Sequence, residues 1–225
     1  SCNKKAISAL MIDIHTHKDA ISGYRAILNR YNRFDELSSD GFFSAGLHPW
    51  YINPDNWQSQ FRLLEAAVQK PTILAIGECG LDKLCHTNFD LQQTVFKKQV
   101  MLANTVHKPL IIHCVKAYDE VLHILQQAKT PVIFHGFNKN AVLAQQLTSK
   151  GYYLSFGQVL EQQRNRDVLK QLPLNKILLE TDDAPVEIAA IYSLAAAALE
   201  IDINTLSLQL QKNAAGVFGR NFSLV

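Results

Sequence analysis

Short apolar runs alternate with longer amphipathic stretches along the chain. Most runs end at a polar or ionisable residue, which is typical of strands buried in a parallel sheet. The second of them could form either a strand or a turn of helix. The runs cover residues 10–14, 24–28, 42–47, 73–77, 109–112, 131–134, 152–156 and 176–179.

The amphipathic stretches between these runs predict helices. In the first stretch, Phe61, Leu64 and Val68 fall on one helical face. Gly151 follows the fourth stretch, as glycine commonly does just past the end of a helix. The predicted helices cover residues 55–69, 88–107, 117–128, 140–150, 187–199 and 205–218.

The alternation of strands and helices predicts an α/β fold. Strands that alternate with helices build a parallel sheet covered by helices, and eight such units in 225 residues favour a (β/α)₈ TIM-type barrel, regular or distorted. We expect one domain over residues 11–225, with residues 1–10 as an N-terminal extension or an expression remnant. A doubly wound open sheet is the alternative, but no glycine-rich phosphate loop follows the first run.

Composition narrows the class of protein. Hydrophobic residues make up 48% and charged residues 19% of the chain, as in ordinary soluble proteins. The net charge of +2 argues neither for nor against nucleic acid. The four cysteines form no CxxC pair, so a reduced cytoplasmic compartment is expected. No apolar stretch approaches a signal peptide or a membrane span, so no membrane partner is predicted.

Candidate metal ligands recur at the ends of the predicted strands. His15 and His17 are two residues apart, so in a strand both imidazoles face the same side. In a parallel barrel all carboxyl ends of strands meet at one mouth. The remaining candidates follow four other runs, and they are Glu78, His113, His135 and Asp182.

Each candidate also has a plain structural interpretation. A lone histidine at a strand end is more often a satisfied polar residue than a ligand, and Glu78 or Asp182 could cap a helix. The coincidence of six groups at one end favours the metal interpretation. Burying these groups without charge compensation is costly, and two cations with about three such ligands each supply it.

Other polar residues are candidates for contact with substrate. His48 follows the third run, where it could meet a substrate phosphate. Lys83 and Lys116 fall in predicted loops at the mouth and could do the same. Asp82 is predicted to orient a metal-bound histidine.

Six motifs in a fixed order carry a resemblance to a known family. They are Ile12-Asp13-Ile14-His15-Thr16-His17, Gly46-Leu47-His48-Pro49-Trp50, Ile76-Gly77-Glu78-Cys79-Gly80-Leu81-Asp82, Ile111-Ile112-His113, His135-Gly136-Phe137, and Leu179-Glu180-Thr181-Asp182 with Ala184-Pro185 just after. This ordered set resembles the TatD family of metal-dependent deoxyribonucleases, within the amidohydrolase-like barrels.

The resemblance implies a hydrolase with two divalent metal ions per chain, of Mg, Mn, Zn or Ni. By similarity, His15, His17 and Asp182 would hold one ion and His113 and His135 the second, with Glu78 bridging the two. Catalysis would rest on Glu78 and Asp182, the latter receiving a proton from a metal-activated water. The implied substrate is DNA, cleaved at its phosphodiester bonds by a monomer without an obligate protein partner.

The chain departs from the family pattern in several respects, one of which is the sixth-strand motif, where members usually carry Cys and then Ser or Thr around the Phe and this chain has His135-Gly136-Phe137-Asn138. Members typically carry His-Ser-Arg after the fifth strand, whereas this chain has His113-Cys114-Val115-Lys116. Lys116 could replace the arginine only as a point charge, without its bidentate fork. An extra acid, Asp183, follows Asp182, so the ligand could be either of them. The chain is also shorter than typical members, which suggests trimmed substrate loops.

Two other functions remain open at this point. The first is a related hydrolase on the same barrel that acts on a small phosphoester, an amide or a lactone. Carbamate-bridged amidohydrolases carry a lysine where this chain has Glu78, which argues against that subtype. The second is a catalytically idle barrel used for binding, which need not hold two ions per chain.

Overall fold

The computed structural model describes residues 11–18, 24–34, 37, 41–219 and 222. The extension expected over residues 1–10 lies outside them. The chain divides into two compact units, one containing the chain up to Leu28 and from His135 onward, and the other Asn29–Phe134. The expectation of a single domain stays a prediction.

Eight strands follow one another in the sheet in chain order. Every pairing between them that the structure describes is parallel, which confirms the (β/α)₈ fold class. The ambiguous second run is a strand. The strands are β1 (Ile12–Thr16), β2 (Arg25–Arg30), β3 (Phe42–Ala45), β4 (Ile73–Asp82), β5 (Leu110–Val115), β6 (Val132–Phe134), β7 (Tyr153–Phe156) and β8 (Ile177–Leu179).

The helices fill the connections after β3. The six predicted helices are present, each a few residues shorter than its pattern or shifted at one end. A further short helix, α5, follows β7. The α-helices of the described residues are α1 (Trp57–Ala67), α2 (Phe89–Val106), α3 (Tyr118–Leu125), α4 (Ala141–Ser149), α5 (Gln163–Leu169), α6 (Ile188–Leu199) and α7 (Ile203–Phe218).

In the first unit, the carboxyl end of β1 is joined to the chain just after β8. The Asp182 amide donates to the His15 carbonyl at 2.9 Å, and the His17 amide donates to the Asp182 carbonyl at 3.1 Å. At the start of β1, the Tyr192 hydroxyl from α6 bonds both the amide and the carbonyl of Ile12, at 3.1 and 3.2 Å. These bonds fix β1 at both ends.

In the second unit, β4 and β5 extend past their apolar runs. The sequence placed Glu78 and His113 just after strand ends, but both lie inside strands. Pairing continues because glycine allows a close approach: Gly80 pairs with His113, and a Cβ at Gly80 would lie 2.0 Å from the His113 carbonyl oxygen. The correction concerns strand length only, since both side chains remain in the carboxyl half of their strands.

No single helix among the described residues is long and apolar enough to cross a membrane. Within the part of the chain that the structure describes, α6 and α7 together meet the length and composition of a span, but they are bent by 106° at their junction.

Candidate metal centre

The first unit gathers four of the predicted ligands into one cluster, called here the first cluster: His15, His17, His135 and Asp182. Asp182 Oδ1 lies 3.5 Å from His15 Nε2 and 3.3 Å from His17 Nε2. The rings of His15 and His135 are 4.5 Å apart between centroids. His15 is fully buried, whereas His17 is about one-third exposed, at 31% of its side chain.

The backbone aims Asp182 at these imidazoles. Asp182 has a left-handed φ of 52°, and its amide and carbonyl both bond β1. Burial raises the pKa of its carboxyl, but hydrogen bonds with His15 and His17 and the charges of His15 and His135 outweigh it and hold the pKa well below its usual range. Asp183 is exposed, so of the two adjacent acids the structure favours Asp182 as the ligand.

Two buried acids that the sequence analysis did not single out, Asp13 and Glu180, form hydrogen bonds or contacts around this cluster. Asp13 accepts the amide of Thr181 at 3.0 Å and its hydroxyl at 2.6 Å, and burial raises the pKa of Asp13 to about 7. Glu180 is almost fully buried; it accepts the Gly136 amide at 2.7 Å and lies 3.4 Å from His135 Nδ1. Asp13 shares a strand face with His15, which is the sequence signal that could have identified it.

The second unit gathers His48, Glu78 and His113, called here the second cluster. Glu78 Oε1 lies 3.2 Å from His48 Nε2 and 2.9 Å from His113 Nδ1. Glu78 is 5% exposed, and the rings of His48 and His113 lie 4.5 Å apart. A buried carboxylate thus has an imidazole on each side.

The hydrogen bonding of His48 makes it a hydrogen-bond donor at Nε2 and not a metal ligand. His48 Nδ1 accepts the amide N–H of Trp50 at 3.1 Å. In the neutral imidazole the hydrogen must then be on Nε2, the atom that faces Glu78. A protonated Nε2 cannot coordinate a metal, although geometry alone groups His48 with Glu78 and His113. His48 is better suited to donate to Glu78 or to a substrate oxygen, in line with its sequence prediction.

Asp82 lies beside His113, as the sequence predicted. Its Oδ2 is 3.2 Å from His113 Nε2 and accepts Trp50 Nε1–H at 2.7 Å. Burial raises the pKa of Asp82, but hydrogen bonds from Trp50, the Leu84 amide and His113 outweigh this effect, so that the pKa lies below its usual value. An ionised Asp82 holds the Nε2–H of His113 and leaves Nδ1 directed at Glu78, as in carboxylate–histidine–metal arrangements.

Glu78 itself is held by Asn29, which the sequence did not indicate. The Glu78 amide donates to Asn29 Oδ1 at 2.9 Å, and Asn29 Nδ2 lies 3.5 Å from Glu78 Oε2. Ser44 donates its hydroxyl to the same Asn29 oxygen at 3.1 Å. These three buried polar groups come from β2, β3 and β4, and no short motif joins them.

The predicted lysine contacts differ in their surroundings. Lys83 pairs with Glu120 and lies 5.4 Å from the centre of the Phe89 ring. Lys116 is exposed just after β5, with a left-handed φ of 52°. Both substrate contacts stay predictions, and the charge of Lys83 is already compensated.

The donor chemistry of both clusters suits divalent cations. Imidazole nitrogen and carboxylate oxygen atoms lie within 4.8 Å of one another in the group of His15, His135 and Asp182 and in the group of His48, Glu78 and His113. Such donors suit Zn, Mn, Ni and related ions. The family resemblance implied that His113 and His135 share one ion, but these residues belong to different units and that assignment stays a prediction.

A (β/α)₈ fold that carries clustered histidine and carboxylate donors near the carboxyl ends of its strands defines the class of metal-binding barrels. Within that class, the chain belongs to the family of TatD related DNases, whose model matches residues 9–219.

Curated relatives carry names of the same kind. An uncharacterized metal-dependent hydrolase of Buchnera aphidicola is 30% identical over 67% of this chain and 58% of its own length. A protein of Citrobacter koseri named 3'-5' ssDNA/RNA exonuclease TatD is 31% identical over 62% of this chain and 56% of its own. The chain thus spans less than two thirds of the length of these relatives.

Among solved structures, the YjjV TatD homolog of Escherichia coli superposes with a TM-score of 0.82 at 22% identity. The superposition covers 94% of this chain and 98% of that one. At this identity the likeness establishes the fold, in agreement with the strand order.

Proposed function

We propose that this chain is a divalent-metal-dependent hydrolase that cleaves phosphodiester bonds in nucleic acid, with two ions bound per chain. The observation that carries the proposal is the pair of donor clusters near the strand ends, in each of which one carboxylate oxygen contacts two imidazoles. The family to which the chain belongs and the names of its relatives agree with this assignment.

The clusters suggest which residues would hold the ions. His15, His17, His135 and Asp182 are the donors of the first cluster. In the second cluster, Glu78 and His113 are donors, and Asp82 fixes the tautomer of His113. The predicted bridging role of Glu78 is part of the proposal.

The bound cations would polarise a phosphoryl oxygen and lower the pKa of a bound water. The side chains of the protein would hold the ions and the substrate in place and accept or donate protons. Asp182 stays ionised because its pKa is low, which suits ligation and acceptance of a hydrogen bond from water. The contacts of Asp182 Oδ1 with two imidazoles assign it to ligation first, and its role as proton acceptor is a second step of the proposal.

Single-stranded DNA or RNA is the proposed substrate class, because the relative in Citrobacter koseri is named as an exonuclease of single-stranded DNA and RNA. His48 can donate Nε2–H to a phosphate oxygen, because Nδ1 is already used by the Trp50 amide. Lys116 contributes positive charge in place of the fork of an arginine. The proposed enzyme works as a monomer.

A panel of substrates tests the proposal. Purified protein is incubated with single-stranded DNA, duplex DNA, RNA and a chromogenic phosphodiester, each with Mg, Mn, Zn or Ni and with a chelator. We expect metal-dependent cleavage of a single-stranded substrate and its loss with chelator. A matched pair of variants, Glu78→Gln in the second cluster and exposed Glu65→Gln on α1, separates the site from general effects.

The panel also distinguishes the other candidate activities. Cleavage of the chromogenic ester without cleavage of any nucleic acid would favour a hydrolase of small phosphoesters. If no phosphodiester is cleaved with any ion, and Glu78→Gln leaves metal content unchanged, both the nuclease activity and the role of Glu78 as a ligand are wrong.

A further inference from the structure

Two aromatic side chains stand exposed beside the second cluster. Trp50 is 56% and Tyr51 47% exposed, whereas every other Trp, Tyr and Phe side chain among the described residues is buried or only partly exposed. Scattered exposed apolar residues need no explanation. These two are adjacent in a 3₁₀ helix, Pro49–Tyr51, that His48 caps.

Hydrogen bonds and ring contacts hold both rings in place. Trp50 Nε1–H donates to Asp82 at 2.7 Å, so one edge of the indole is fixed while the rest is open. Tyr51 stacks on Tyr31, with centroids 4.3 Å apart and planes 21° from parallel. Trp50 and Tyr51 meet edge to face at 6.4 Å between centroids. We call Tyr31, Trp50 and Tyr51 the aromatic platform.

The platform is connected directly to the proposed catalytic donors. Asp82, which accepts the indole N–H, also contacts His113 Nε2 at 3.2 Å. The Trp50 ring lies 5.9 Å from the His113 ring and 5.0 Å from the His48 ring. A phosphodiester oxygen that accepts from His48 Nε2 therefore has an exposed indole beside it, on which a base of the same strand can stack.

We propose that the aromatic platform is a stacking site for an unpaired nucleobase of the substrate, and that Trp50 and Tyr51 determine its preference for single strands. This inference rests on the proposed function and adds a binding site to it. Every base has a π-face, so stacking on aromatic rings tolerates any sequence. A base inside a duplex is already stacked and cannot reach the platform without unpairing.

The aromatic rings are already held in place, which favours binding of a base. A side chain that is already held in place loses little conformational entropy when a ligand stacks on it. Trp50 is held by Asp82 and Tyr51 by Tyr31 before any base is present. A stacking role also gives a reason for the hydrogen bond between the exposed Trp50 and the buried Asp82 carboxylate, which orienting His113 does not require.

Tryptophan fluorescence provides a binding test that is independent of turnover. The chain has two tryptophans, so Trp57→Phe leaves Trp50 as the only reporter. The metal-loaded variant is titrated with an oligothymidylate that has non-hydrolysable linkages and with an abasic strand of equal length. We expect the base-containing strand to quench Trp50 fluorescence and the abasic strand to bind at least fivefold more weakly, without quenching.

Substitutions then locate the effect. Trp50→Ala and Tyr51→Ala should each raise the Kd for the base-containing strand by about 5- to 150-fold and leave the Kd for the abasic strand unchanged. These Kd values are measured by the anisotropy of a fluorophore-labelled strand, because Trp50→Ala removes the tryptophan reporter and the abasic strand does not quench it. Trp50→Phe keeps a ring and should lose less. Trp57→Ala, at a partly exposed tryptophan on α1, is the matched control and should change neither Kd. Tyr51→Ala keeps the test valid if Trp50→Ala does not fold.

The outcomes separate this inference from the proposed function. If both strands quench and bind equally, or if neither Trp50→Ala nor Tyr51→Ala weakens binding of the base-containing strand, the stacking site is wrong even where cleavage is observed. If the base-dependent quench is present but no phosphodiester is cleaved, the stacking site stands and the proposed activity is wrong.

Discussion

The position of the Asp182 carboxylate is set by its backbone. Its left-handed φ of 52° and its two hydrogen bonds to β1 direct the side chain at His15 and His17. Asp183, one residue further, has the same chemistry but is exposed. Two identical side chains in sequence therefore have different surroundings in the structure.

Asp182→Asn is expected to reduce metal affinity and activity, whereas Asp183→Asn should change neither. Removing an outer partner of a ligand costs about 10- to 100-fold in affinity or activity, and loss of the ligand itself should cost at least as much. Metal content after dialysis and kcat/KM measure the effect. Equal losses in the two variants would show that the choice of Asp182 over Asp183 is mistaken.

Asp82 acts on His113 from the side opposite Glu78. Asp82→Asn keeps an oxygen for one hydrogen bond but removes the charge that holds His113 Nε2–H and Trp50 Nε1–H. We expect metal affinity to fall by about 10- to 100-fold, and the apo protein to lose some free energy of unfolding as well, because the hydrogen bonds to Asp82 lose their charged acceptor. Asp55→Asn, at an exposed position before α1, is the control. Unchanged metal affinity in Asp82→Asn would argue against the orienting role.

At the scale of the element, apolar runs identified each strand of the described residues but not where each strand ends. The runs stop at Gly77 and Ile112, whereas β4 and β5 continue to Asp82 and Val115. Glycine allows this because His113 approaches closer to Gly80 than any Cβ would permit. Hydrophobicity indicates which residues are buried, but the length of a strand also depends on backbone pairing. Polar and glycine residues can continue that pairing without any apolar pattern in the sequence.

Gly80→Ala should destabilise the pairing of β4 with β5. The added Cβ would lie 2.0 Å from the His113 carbonyl oxygen, at a φ of 142°. Strain and overpacking each cost about 1–3 kcal/mol, so we expect a loss of roughly 2–6 kcal/mol in the free energy of unfolding. Urea denaturation monitored by circular dichroism measures this loss.

Gly151→Ala provides the matched control, because Gly151 also has a positive φ, of 90°, but a Cβ there meets nothing within 4 Å. It should cost only the backbone strain, about 1–3 kcal/mol. If the two alanine variants lose the same stability, the close approach at Gly80 does not limit the pairing of the strands.

The supporting residues were harder to predict than the donors. The donors stand out in the sequence because ionisable groups directly after apolar runs are unusual. They are His15, His17, Glu78, His113, His135 and Asp182. Helix α5 is short and polar at its start, so it shows no apolar period. Asn29 and Trp50 gain their roles from contacts with Glu78 and Asp82, about 50 and 30 residues away. Such pairings follow from the folded chain and not from local spacing.

At the scale of the whole molecule, each compact unit contains one donor cluster. The first unit contributes His15, His17, His135 and Asp182, and the second contributes Glu78 and His113. We expect the wild-type chain to bind two ions, and Asp182→Asn or His113→Ala each to leave about one. Elemental analysis of dialysed protein measures the stoichiometry. Retention of both ions in both variants would exclude the two clusters as the metal sites.

Metal binding should also stabilise the folded chain, because the donors of each cluster come from segments that are distant in sequence and meet only after folding. A ligand at 100 times its Kd adds about 2.7 kcal/mol, which corresponds to a rise in Tm of roughly 5–11 °C for a chain of this length. Calorimetry with and without added divalent ion measures the shift, and chelator should reverse it. Asp182→Asn should lose part of the rise and Asp183→Asn none of it. A wild-type Tm that does not respond to any divalent ion would contradict metal binding at these donors, whatever the activity of the chain.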